Sequence, residues 1–73
     1  MNDFLEFAAG IFEDDVRHIS MQTEYNQYEK WDSMTHLRLI MELEEKYQVQ
    51  IPIDAVMEIK TLGQLYQLVE ERR

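Results

Sequence analysis

The sequence predicts an all-α fold: a small bundle of three main helices plus one short helix. Apolar residues recur at helical spacing in three separate segments, and a helix-capping residue precedes each of them. With two Gly and one Pro among 73 residues, the chain carries little turn punctuation, as suits helices joined by ordered loops. The length predicts a single domain, residues 1–73, with one small core, since a chain this short buries only about 60% of the surface it exposes when unfolded.

The first helix is expected over residues 3–13. Asn2 can cap it, Asp3 and Glu6 occupy the first turn where the helix dipole favours acids, and Phe4, Leu5, Ala8, Ile11 and Phe12 share a face. Gly10 weakens this helix by up to about 1 kcal/mol relative to Ala, which suggests close packing as the reason for a glycine there. Residues 14–31 have no clean period. A stretch this long without regular structure is expected to be functional or pinned by its own side chains, here Ile19, Tyr25 and Trp31.

The second helix is expected to start at Asp32-Ser33 and to run to Tyr47, with Asp32 as N-cap. At 100 degrees per residue, Thr35, Arg38, Glu42, Glu45 and Lys46 form a polar arc. Leu39, Ile40, Leu43 and Tyr47 lie on one flank of the apolar arc, and Met34, Leu37 and Met41 on the other. That arc is wider than one core contact needs. Either all seven residues are core, or the methionine flank meets partners, for which the flexible, polarisable Met side chain is suited. Glu44 falls inside the apolar arc, near enough to the helix end to extend to water. Ile51-Pro52 ends the pattern. A short third helix is expected over 54–59, capped by Asp54. The last begins at Thr61, whose pairing with Gln64 reads as a capping box, and Leu62, Leu65, Tyr66, Leu68 and Val69 make its inner face.

Composition removes several function classes. The chain has no Cys, so disulfides and thiolate metal sites are excluded. No apolar run approaches the roughly 20 residues that span a bilayer, so no membrane span and a cytoplasmic location are expected. Fifteen acids against seven Lys and Arg leave a net charge of -8, which repels nucleic acid and suits basic patches on partner proteins.

Among chemically useful residues, Ser33 stands out because it lies at a helix N-terminus, where the first amides and the dipole favour a phosphate. Asp-Ser at a helix start is also ordinary capping, and spacing alone does not separate the two. Glu13, Asp14 and Asp15 lack the pattern of a calcium loop and are expected to be a solvated acidic turn; no metal site is expected. His18 and His36 have no metal-ligand spacing and are expected at the surface or an interface. Ser33 and His36 have no third group to make a nucleophilic pair, so no catalytic residue is assigned and no enzymatic activity is expected.

The run Trp31-Asp32-Ser33-Met34, followed by His36-Leu37 and Leu43-Glu44-Glu45, resembles the acyl carrier protein family and its peptidyl and D-alanyl carrier relatives. Val49-Gln50-Ile51-Pro52 and Ile59-Lys60-Thr61-Leu62 are similar to that family's segments after the second helix and at the start of the last. The resemblance implies an acyl-carrier-like bundle. It also implies a separate phosphopantetheinyl transferase that moves 4'-phosphopantetheine from coenzyme A to Ser33, the serine behind Asp32. Cargo would ride on the arm as a thioester, between acyl- or aminoacyl-loading and transferring enzymes. Docking through the second helix is implied too, with Met34, Leu37 and Met41 as apolar contacts and Arg38, Glu42 and Glu45 as charged ones. Carriers of primary fatty-acid synthesis usually have Gly and Leu where this chain has Lys30 and Met34, and an acid in place of Arg38. The Trp-Asp-Ser form resembles free-standing carriers of specialised pathways. A D-alanyl or other aminoacyl carrier and an unmodified acidic adaptor are the competing readings, and a monomer is expected.

Overall fold

The computed structural model describes residues 3–73; the expected cap Asn2 lies outside them. Four α-helices follow in order: α1 Asp3–Phe12, α2 Ser33–Tyr47, α3 Ile53–Glu58 and α4 Leu62–Arg72, with a single 3-10 turn, Val16–His18, between α1 and α2. The all-α prediction holds, with three longer helices and one of six residues.

The core is where the inward faces meet. Phe4 and Ala8 of α1, Leu39 and Leu43 of α2, and Leu62, Leu65 and Val69 of α4 are buried together with Trp31. Each fully buried Leu or Phe contributes about 1.5–3 kcal/mol relative to exposure. The radius of gyration is 11.0 Å, about what a compact chain of this length requires, so the long segment between α1 and α2 is folded onto the helices rather than extended from them.

Backbone hydrogen bonds hold that segment. Tyr25 N–H donates to Lys60 O (2.8 Å), Leu62 N–H to Thr23 O (3.1 Å) and Gly63 N–H to Met21 O (2.8 Å). The first amides of a helix have no partner inside it. At α4 these loop carbonyls satisfy the Leu62 and Gly63 amides and Thr61 Oγ1 accepts the Gln64 N–H (3.1 Å), while the Leu65 N–H makes the helix's own first bond, to Thr61 O (3.2 Å). Gln64 Oε1 accepts the Thr61 N–H in return (3.2 Å), completing the expected capping box. Ile19 and Trp31 are buried, as expected for anchors, and Tyr25 is half-buried against them.

Several expectations need correction. α1 stops at Phe12, because Glu13 turns left-handed (φ 57°). Asp14 N–H then reaches Ala9 O (3.0 Å) and Glu13 N–H reaches Gly10 O (3.2 Å), a Schellman closure without glycine. α2 ends likewise on left-handed Gln48. A Cβ added at Gly10 would meet nothing within 4 Å, so close packing does not account for that glycine. Glu44 is half-buried, and its Oε2 accepts the Ile51 N–H (2.8 Å), a contact that projection did not show and that fixes the segment after α2 whose Val49 and Ile51 are buried. Asp54 is not the cap of α3. Pro52, with φ -65° and ψ 149°, takes that place, and Asp54 lies in the first turn.

The acidic turn is not simply solvated either. Asp14 accepts the Tyr28 hydroxyl, pairs with His18 Nδ1 (2.8 Å) and accepts the Asp15 N–H (2.8 Å). The Tyr28 hydrogen bond, more than the His18 contact, holds the Asp14 carboxyl well below the usual carboxylate range. Burial, reinforced by the same bond, pushes the Tyr28 phenol up. His18 remains exposed, as expected.

Candidate functional site

The segment entering α2 sorts three consecutive side chains by environment. Trp31 is buried (2% exposed), its ring packed against Phe12 at 5.7 Å and Tyr25 at 5.5 Å. Asp32 has extended backbone angles and caps the helix, its Oδ1 accepting the Thr35 N–H at 2.8 Å. That backbone bond lowers the Asp32 pKa, which keeps the cap ionised. Ser33 opens the helix and is exposed. Trp31 thus anchors the segment and Asp32 fixes where the helix begins, so that the Ser33 hydroxyl is presented on an ordered backbone at the positive end of a 15-residue helix.

One turn on, His36 departs from the expectation of a surface or interface residue. It is 8% exposed. Its Nδ1 lies 3.0 Å from Trp31 Nε1, and its Nε2 lies 3.1 Å from Val56 O. Indole N–H only donates and a carbonyl only accepts, so Nδ1 is the acceptor and Nε2 carries the proton. Breaking either contact without replacement would strand a buried polar group, at a cost of about 1–3 kcal/mol. The expectation failed because helical projection locates a side chain on a face but cannot reveal a partner held by another element.

Beside Ser33 runs a groove of about 500 Å³ between α2, α3 and the preceding loop. Leu37, Ile53, Val56 and Met57 give it an apolar wall, while Tyr25 and Asn26 line it on the loop side. The α2 flank read as surplus to the core is in solvent: Met34 is 82%, Leu37 54% and Met41 66% exposed. The all-core alternative is therefore excluded. α3 extends this patch with Ile53 and Met57, also exposed, and neither had been singled out from the sequence. In a segment of six residues, helical periodicity carries little information; the signal available was two apolar side chains four apart. Of the charged residues, Glu45 is exposed, and Arg38 pairs with Glu42 at 3.8 Å along the helix. Among the described residues no three His, Cys, Asp or Glu cluster as a metal site, and no helix is long and apolar enough to cross a membrane.

The family model for the phosphopantetheine attachment site (PP-binding) matches residues 3–69. The chain belongs to that acyl carrier family. An acyl carrier protein of Phenylobacterium zucineum (strain HLK1) is 37% identical over 41 residues, covering 56% of this chain and 52% of the relative. A probable acyl carrier protein of Caulobacter vibrioides (strain NA1000 / CB15N) is 36% identical over 42 residues, 58% of this chain and 49% of the relative. The chain spans about half the length of these curated relatives. The solution structure of holo acyl carrier protein from Geobacter metallireducens matches with a TM-score of 0.84 at 27% identity, over 96% of this chain and 80% of that one.

Membership of the acyl carrier family brings with it a covalently bound phosphopantetheine. The start of α2 fits such a group. An exposed hydroxyl stands at a helix N-terminus, where the dipole stabilises a phosphate, and the adjoining groove offers an apolar wall to an extended arm.

Proposed function

We propose that this chain is a carrier whose Ser33 Oγ holds 4'-phosphopantetheine as a phosphodiester. It would transport acyl or aminoacyl groups for a dedicated biosynthetic pathway. The observation that carries the reading is the exposed Ser33 behind a capping Asp32, on the first turn of α2 in a chain of the phosphopantetheine-attachment family. When bound, the group supplies a flexible arm whose terminal thiol takes cargo as a thioester. The chain's own residues do the rest. Asp32 holds the helix start through the Thr35 amide, Trp31 keeps that start seated on the core, and Leu37, Ile53 and Met57 would offer the arm an apolar wall.

On this reading the chain performs no catalysis. It acts as a single-domain monomer in the cytoplasm and raises the effective concentration of its cargo at successive enzymes. Its partners are a phosphopantetheinyl transferase and the enzymes that load and unload cargo. They would dock on Met34, Leu37 and Met41, with Glu42, Glu45 and Arg38 setting the charge of the contact and the net -8 drawing in basic surfaces.

The test is intact mass after incubation with coenzyme A and a broad-specificity phosphopantetheinyl transferase. One phosphopantetheine is expected on the wild type and none on Ser33→Ala. Helicity should be retained in the variant, because Asp32 still caps α2. An unmodified mass on folded wild-type protein would refute the carrier reading and leave an acidic adaptor.

A further inference from the structure

The groove beside Ser33 has a closed floor. His36, inward-facing one helical turn from Ser33, accepts the Trp31 indole N–H at Nδ1 (3.0 Å) and donates from Nε2 to the Val56 carbonyl (3.1 Å). The Tyr25 ring lies against both aromatic partners, 4.9 Å from the His36 ring and 5.5 Å from Trp31. A continuous polar bridge therefore runs from the loop, through α2, to α3. It has no slack: among the described residues no buried side-chain nitrogen or oxygen lacks a partner.

We propose that this bridge denies alkyl cargo shelter in the core, so that only short or polar groups are carried without exposed apolar surface, with His36 as the positioning residue that keeps alkyl chains out. The inference rests on the carrier reading above. Cargo on an arm from Ser33 has two places to go. It can stay in the open groove, in contact with Leu37, Ile53, Met57 and water, or it can pass between α2 and α3. The second route parts His36 from Val56 or from Trp31 and leaves an indole N–H or an imidazole nitrogen buried without a partner, which the entering methylenes cannot replace. Short acyl, hydroxyacyl and aminoacyl groups need not enter at all. A long alkyl chain stays wet.

The test loads wild-type protein with acetyl-, butyryl-, octanoyl- and dodecanoyl-phosphopantetheine from the coenzyme A thioesters, using a broad-specificity phosphopantetheinyl transferase, which joins each to the Ser33 hydroxyl and releases adenosine 3',5'-bisphosphate. Hydroxylamine cleavage of each thioester is compared with that of the same thioester of free pantetheine, and emission is read from the chain's one tryptophan. The expected result is a normalised rate constant within about twofold across the series, with unmoved Trp31 emission; burial of even two methylenes would slow cleavage by about tenfold. In the double variant Trp31→Phe/His36→Leu, which removes both sides of the bridge, octanoyl and dodecanoyl thioesters should be cleaved about tenfold more slowly than acetyl. Length-dependent protection in the wild type, or a tryptophan emission that shifts with chain length, overturns the inference, as does a folded double variant that protects nothing. If the double variant does not fold, the wild-type series decides alone. Failure of the wild type to gain the mass of any acyl-phosphopantetheine refutes the carrier reading itself and this inference with it, whereas loaded protein with length-dependent protection refutes only the latter.

Discussion

A double-mutant cycle on Trp31 and His36 measures how far the buried bridge stabilises the fold. Trp31→Phe removes the donor to His36 Nδ1 at a site where both residues are under a tenth exposed, so an acceptor is left buried and unpaired at about 1–3 kcal/mol, on top of the packing lost with the indole. His36→Leu removes the acceptor instead. Val56 O still receives the Ile59 N–H at 3.4 Å, so the penalty falls mainly on the stranded indole N–H, again about 1–3 kcal/mol. In the double variant the packing losses remain, but neither group is left facing an absent partner. It should therefore be less destabilised than the sum of the singles by both penalties together, about 2–6 kcal/mol. At about 0.05–0.15 kcal/mol per residue, that is a large share of the stability of so small a fold. Urea denaturation followed by helical circular dichroism suits the measurement, because the fluorophore is itself mutated. Additivity within about 0.5 kcal/mol would refute the reasoning, since distant or uncoupled sites behave that way.

The two glycines should respond in opposite directions to Ala. Gly10→Ala adds a Cβ into open space on a helix and should stabilise by about 0.5–1 kcal/mol, visible as a rise in Tm of several degrees. Gly63→Ala places its Cβ 3.0 Å from the Met21 carbonyl oxygen and should destabilise by about 1 kcal/mol or more, with a lower urea midpoint. Because the folded-state pKa of Asp14 is depressed from 3.8, its contribution is present above that value and lost as pH falls through the lower folded one. Tyr28→Phe removes the largest cause, so its urea midpoint should trail the wild type at neutral pH, with the gap narrowing toward about pH 2; a pH-independent gap would contradict this. Met41→Glu, on a side chain 66% exposed, should change stability by no more than about 0.5 kcal/mol while slowing cargo transfer to and from partner enzymes. A large fall in Tm with unchanged transfer would reverse the assignment of this face.

The helix starts were legible and the helix ends were not. Asp32, and Thr61 with Gln64, announce α2 and α4 through side chains whose chemistry suits the free amides of a first turn. α1 and α2 close on Glu13 and Gln48, residues with no preference strong enough to mark a left-handed turn. The division of α2 into a core flank and a solvent flank was readable from projection at 100 degrees per residue. Glu44 and His36 each have a partner that projection does not show, a backbone group beyond the end of the helix, at Ile51 and Val56. Such a partner turns an apparent flaw in an apolar arc into a satisfied contact. The candidate serine was identifiable through its neighbours Trp31 and Asp32. The groove beside it was not, because most of its apolar wall comes from α3, too short to show a period.

The carbonyls of Met21 and Thr23, which receive the opening amides of α4, bear on where this carrier can be engineered. Irregular surface segments are the usual choice for an inserted tag, a protease site or new termini. Here the longest irregular stretch completes a helix that begins some forty residues later, so an insertion among residues 21–25 would unseat α4 and the groove wall together. A fusion partner is better joined within the exposed residues 70–73, beyond the buried Val69.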